Sequence, residues 1–146
     1  MKMKRVLLSA VLAIASSAGL TAQDKPNFAG KWKQAGSFSR YAITVEGTRM
    51  TVTVTVAGNS ESTIYLLDGT PSKKAFEGPN GPAENVSVST WEGDVLVTTI
   101  KTGFGTTMTE KRWIEPDGTM RVQNTLDIPG KPSPPAGPGM VLKKIG

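Results

Sequence analysis

The sequence contains no cysteine and no histidine. Without cysteine there is no disulfide framework, no thiolate nucleophile and no site for a lipidated cysteine. Without histidine the commonest general base is gone, and with both absent so are the usual zinc ligands. No metal and no cofactor is therefore expected, and a non-enzymatic role is favoured. Glu110 with Asp94 or Glu84 could be drawn as a glycoside-cleaving pair, but acids on strands are more commonly solvated. Gly103-Phe104-Gly105 lacks the following helix that a nucleotide-binding loop requires. Aromatic residues make up only 6% of the chain, so each of the nine needs a place. Beyond residue 22 no stretch approaches the roughly 20 apolar residues that span a bilayer, and none carries a long helical period.

The first 22 residues read as a secretory signal peptide. Lys2, Lys4 and Arg5 form a positive n-region, Val6 to Ile14 an apolar h-region and Ser16 to Ala22 a small-residue tail. Cleavage is expected after Ala22, with Ala18 as the alternative, because Leu20 at the −3 position is larger than the residue preferred there. The expected product, residues 23–146, is one secreted or periplasmic domain with no integral membrane segment. The whole chain has 17 Lys plus Arg against 12 Asp plus Glu. Removing the leader's three bases leaves 14 against 12, a net charge of +2. Those bases are scattered singly or in pairs rather than gathered in a stripe, so nucleic acid is not an expected partner.

After a short polar segment, strand and turn signals dominate. Tyr41, Ile43 and Val45 alternate with Ala42 and Thr44; Met50, Val52, Val54 and Val56 alternate with Thr51, Thr53 and Thr55. β-branched residues throughout suit a half-buried pleat. Ser62 to Leu67 and a short piece around Lys74 to Phe76 follow, with Glu77 to Pro82 expected as a Gly/Pro-rich loop. Residues 127–139 contain Pro129, Pro132, Pro134, Pro135 and Pro138 and should be extended and solvated. Met140 to Ile145 then supplies a closing strand.

Three turns look alike: Trp91-Glu92-Gly93, Gly103-Phe104-Gly105 and Pro116-Asp117-Gly118. In each, the final glycine suits the left-handed position of a three-residue hairpin loop, which assigns structural roles to Gly93, Gly105 and Gly118. Taken together the turns set one register for four strands. One face then collects Val86, Val88, Thr90, Leu96, Thr98, Ile100, Met108, Glu110, Arg112, Ile114, Met120, Val122, Asn124 and Leu126, and is expected to be the interior.

Phe28-x-Gly30-x-Trp32, followed by eight or nine short strands and tight turns, resembles the calycin group of lipocalins and fatty-acid-binding proteins. Lys111 to Met120 is similar to the fatty-acid-binding-protein run in which an inward arginine, here Arg112, precedes a hairpin Asp-Gly, here Asp117-Gly118. Small secreted bacterial lipocalin-like proteins also share the pattern, with a Pro/Gly-rich loop before a basic last strand. The resemblance implies an all-β, up-and-down antiparallel barrel. Between Trp32 and Tyr41 there is no room for lid helices, and Leu142-Lys143-Lys144-Ile145 lacks the final-strand Arg-x-Tyr that holds a carboxylate in fatty-acid-binding proteins.

On this reading a small hydrophobic ligand, anionic or neutral, would occupy a cavity lined by Met50, Val52, Val54, Met108 and Met120. Arg112 would anchor its polar end. Alternatively Glu110, two residues away on the same face, pairs with Arg112 structurally. Gly30 is assigned to a close backbone approach, Trp32 to plugging the barrel end. Trp91 is placed in a turn, and Trp113 beside Arg121 on the outer face. The rival expectation is a protein-binding scaffold, or a protease-inhibitor-like module, offering the Pro-rich loop or the N-terminal arm to an envelope protein.

Overall fold

The computed structural model describes residues 25–146. The signal-peptide reading falls outside the described residues. Ten strands form one antiparallel sheet: β1 (Gly30–Gln34), β2 (Arg40–Glu46), β3 (Arg49–Val56), β4 (Asn59–Leu66), β5 (Ser72–Gly78), β6 (Gly81–Glu92), β7 (Val95–Lys101), β8 (Thr107–Ile114), β9 (Met120–Asp127) and β10 (Met140–Lys144). Each strand pairs with its sequence neighbours except at the β4–β5 seam, and β10 pairs with β1, giving the order β4-β3-β2-β1-β10-β9-β8-β7-β6-β5. The sheet curls into a nearly closed up-and-down barrel, with β4 and β5 as its two free edges. No helix occurs among the described residues.

The count exceeds eight or nine because the expected loop at Glu77 to Pro82 is mostly strand. Gly78 pairs with Gly81, leaving only Pro79-Asn80 at the hairpin tip. Pro82 is tolerated because β6 pairs with β7 only from Val86 onward, so at Pro82 it has one neighbour and needs no second donor.

Two of the three similar turns form as expected. Glu115 N–H donates to Thr119 O at 2.8 Å and Thr102 N–H to Thr106 O at 3.0 Å. Gly118 and Gly105 take φ of +88° and +84°. These fix Ile114 opposite Met120, and Thr98 opposite Glu110.

The third turn corrects the sequence reading. Glu92 pairs with Val95, so the loop is only Gly93-Asp94, with Gly93 at φ +62° in the first central position. That two-residue geometry matches the twist of the strands and competes with the three-residue loop. The odd shift inverts β6: Val86, Val88 and Thr90 face outward, and Ser87, Ser89 and Trp91 face inward. Val86 and Val88 remain half-buried outside, so little apolar burial is forfeited. In return, the buried Ser89 and Thr98 hydroxyls bond each other at 2.7 Å. Trp91 belongs to β6 rather than a turn and stacks on Phe28, centroids 5.8 Å apart and planes 11° apart. Such a pair contributes about 0.5–1.5 kcal/mol beyond its buried area.

Phe28 and Trp32 are each 2% exposed and join Ile43, Met50, Val52, Tyr65, Leu96, Met120, Val122 and Leu142 in the core. The N-terminal arm crosses the barrel end to reach this position. Trp32 Nε1 donates to Phe28 O at 3.0 Å, and Lys25 Nζ donates to Gly93 O at 2.7 Å. Gly30 makes the crossing possible: it sits at φ +134°, and a Cβ there would lie 2.9 Å from Lys144 Cε. At 128–139 the Pro-rich segment is exposed and free of strand. It is strapped along β9, where Gln123 Nε2 and Arg121 donate to Gly137 O (2.6 Å) and Pro138 O (3.0 Å).

Candidate functional site

Next to Phe28 the interior turns polar. Glu110 and Arg112 lie on the inward face of β8, and Arg112 donates to Glu110 Oε2 at 3.3 Å with both side chains buried. Tyr65 O–H, from β4, donates to Glu110 Oε1 at 3.3 Å. The guanidinium lies between the Phe28 and Tyr65 rings, 6.0 and 5.7 Å from their centroids, and touches Met120 Sδ at 3.2 Å. Its Nε finds no acceptor among the described residues. A buried cation needs a counter-charge, and Glu110 supplies it.

Burial first, and then the Glu110 carboxylate beside it, push the Tyr65 hydroxyl well above the ordinary tyrosine range. Tyr65 therefore remains a proton donor. Burial also raises Tyr41, with Arg112 opposing it.

A cavity of about 300 Å³ lies beside the cluster, on the side away from Phe28. Its walls come from the middle of β4 (Ser62, Thr63, Ile64, Tyr65), the start of β5 (Ser72, Lys73, Lys74), β6 (Asn85, Ser87), Ile100 of β7, and Met108 and Glu110 of β8. It opens at the β4–β5 seam, where side chains replace a backbone ladder. Ser72 Oγ donates to Ile64 O at 3.0 Å. Lys74 Nζ reaches Glu61 Oε1 at 2.6 Å, Ser62 O at 3.2 Å and Thr63 Oγ1 at 3.3 Å. The Lys74 hydrogen bond and charge hold the Glu61 carboxyl below its ordinary value.

The residues expected to line a cavity divide. Met108 and Glu110 do so, and Val54 borders an open depression at the barrel mouth with Val56 and Glu61. Met50, Val52 and Met120 do not; they are packed into the core, because Phe28 and Trp32 fill that half of the barrel. Arg112 sits behind Glu110 and does not reach the cavity wall either. Lys74, Tyr65, Asn85 and Ser87 escaped the sequence reading. The Gly78–Gly81 hairpin sets Lys74 opposite Asn85 and Ser72 opposite Ser87; reading a loop there, and inverting β6, hid Lys74, Asn85 and Ser87, whereas Tyr65 lies on the expected Ser62 to Leu67 strand, which was given no inward face. Asn85, which heads a glycosylation sequon, accepts from Gly103 N at 3.1 Å and lines the cavity. Of the suggested acid pair, Glu84 and Asp94 are exposed, Asp94 in the β6–β7 turn. On the outer face Trp113 and Arg121 are joined through Glu115, at 3.0 and 3.4 Å.

An all-antiparallel meander curled into a nearly closed barrel around a partly filled interior has a lipocalin-like, or calycin-like, fold. Among solved structures the chain is similar to a mutant of the REP1-NXSQ fatty acid transporter. The TM-score is 0.56 at 12% identity, over 80% of this chain and 97% of that one. An SAHS (abundant heat soluble) protein from Ramazzottius varieornatus matches with a TM-score of 0.46 and 13% identity, over 79% of this chain and 90% of that one. At 12% identity the likeness to the transporter is one of fold. No protein-family model matches the sequence, and no curated protein does. No helix among the described residues is long and apolar enough to cross a membrane.

Proposed function

We propose that this chain is a secreted or periplasmic, non-enzymatic barrel that binds a small hydrophobic ligand in the cavity beside Met108 and Glu110. The observation that carries the reading is the cavity itself. Its apolar wall of Ile64, Ile100, Met108 and the Tyr65 ring adjoins a few polar groups, the usual make-up of a small-molecule site. The fold shared with a protein named a fatty acid transporter supports binding as an analogy. The residue 1–22 pattern supports export.

The alternative scaffold reading rests on the exposed 128–139 segment. The N-terminal arm supports it less, because Phe28 is buried. Native followed by denaturing mass spectrometry of protein exported from a bacterial host tests both. Release of a small molecule, from a chain that starts near Gln23, is the expected result. A bare mass together with failure to bind any small apolar acid or alcohol would overturn the carrier reading in favour of the scaffold.

A further inference from the structure

We propose that the occupant of this cavity is a short amphipathic acid of about ten non-hydrogen atoms. Its carboxylate would be held by Lys74 at the β4–β5 seam and its tail would point inward to Ile100 and Met108. The inference rests on the carrier reading above and specifies the ligand's charge, length and orientation.

Charge comes first. The cavity wall carries Lys73, Lys74 and Glu110. Glu110 is already answered by Arg112 and by the Tyr65 hydroxyl, and Lys74 by Glu61 at the rim, which leaves Lys73 as the excess positive charge on the wall. Arg112 cannot be the anchor without moving Glu110 aside, which would strand a buried carboxylate.

Lys74 is differently placed. Its partner Glu61 stands 76% exposed at the mouth, and a solvent-screened pair is easily exchanged. When a ligand carboxylate takes the place of Glu61, Lys74 stays paired and Glu61 returns to water. Thr63 Oγ1, 3.3 Å from the same Nζ, supplies a hydroxyl within reach of the incoming oxygen. No charge is left buried and unmatched in either state.

Length follows from the volume and from the packed end. At roughly 30 Å³ per water-sized unit, 300 Å³ accommodates about ten such units. The cavity cannot lengthen toward Phe28, because Met50, Leu96 and Met120 are fully buried there. An acid of about eight carbons, or a single-ring aromatic acid, fills the space; a sixteen-carbon chain does not.

The experiment is calorimetric titration of the folded full chain with linear acids from hexanoate to hexadecanoate, and with octan-1-ol. Affinity should rise about fourfold per methylene as far as octanoate or decanoate and then stop rising. Lys74→Met should weaken octanoate about tenfold, the worth of a charge-assisted hydrogen bond, and leave octan-1-ol unchanged. A gain continuing to hexadecanoate would overturn the length limit. Loss of octanoate binding in a folded Arg112→Leu but not in Lys74→Met would move the carboxylate to Arg112. Binding of octan-1-ol without any acid would overturn the acid assignment alone, whereas no binding of either would overturn the carrier reading with it.

Discussion

At the end of the barrel where the β6–β7 hairpin turns, Phe28, Trp32 and Trp91 point inward, and Phe28 and Trp32 are buried. At the opposite end Phe38 and Phe104 stand 91% and 62% exposed, and Val56, Leu126 and Ile128 are exposed as well. The difference is the arm at residues 25–29, which crosses one end and folds Phe28 in, while nothing among the described residues crosses the other. A barrel of this size can fill its lumen with its own side chains or leave part of it free. Here it does each at one end, and the Glu110–Arg112–Tyr65 cluster marks the boundary.

Four measurements would break or sharpen that contrast. Phe28→Ala should cost about 3–5 kcal/mol, as for other buried Phe truncations, while Phe104→Ala should stay within about 1 kcal/mol. Urea unfolding midpoints of the two variants decide it; equal losses would mean that the ends are not differently packed. Glu110→Leu should cost about 3 kcal/mol by leaving Arg112 buried without a counter-charge, and adding Arg112→Leu should return much of that loss. A double variant no better than the single would show that the pair is not the source.

Ser89→Ala should cost about 1–2 kcal/mol, because the buried Thr98 hydroxyl loses its partner. A neutral result would undo the inverted register of β6. The smallest effect concerns alkaline pH. The Tyr65 hydroxyl is held above its ordinary value of 10.0, so folded protein retains a proton that unfolded protein releases. Stability present below about pH 10 should then fall as pH rises above it. Tyr65→Phe should flatten that limb of a thermal-melt series, and an unchanged slope would assign it to other groups.

Much of this was legible along the chain. The Met50–Val56 alternation became β3, with Met50 and Val52 on the expected dry side and Val56 exposed at the mouth, and the Asp117-Gly118 and Phe104-Gly105 turns set the registers that place Glu110 and Arg112 together inside. Gly93 was the point of failure. A glycine there serves a two-residue or a three-residue loop equally well, and the choice is made by what lies across the barrel: Phe28 for Trp91, Thr98 for Ser89. That error, with the Glu77–Pro82 hairpin read as a loop, concealed the part of the cavity wall that β5 and β6 supply.

The sequence by itself determined an all-β meander, because period-two alternation and positive-φ glycines are local properties that each strand and turn carries alone. It also determined that Glu110 and Arg112 share a face, since they are two residues apart on one strand. Only the tertiary structure decided which half of the lumen is filled. That depends on Phe28 reaching Trp91 across 63 residues, and on two unladdered edges meeting through Lys74 and Ser72. Such contacts depend on how far the sheet curls, and no stretch of the chain specifies that on its own.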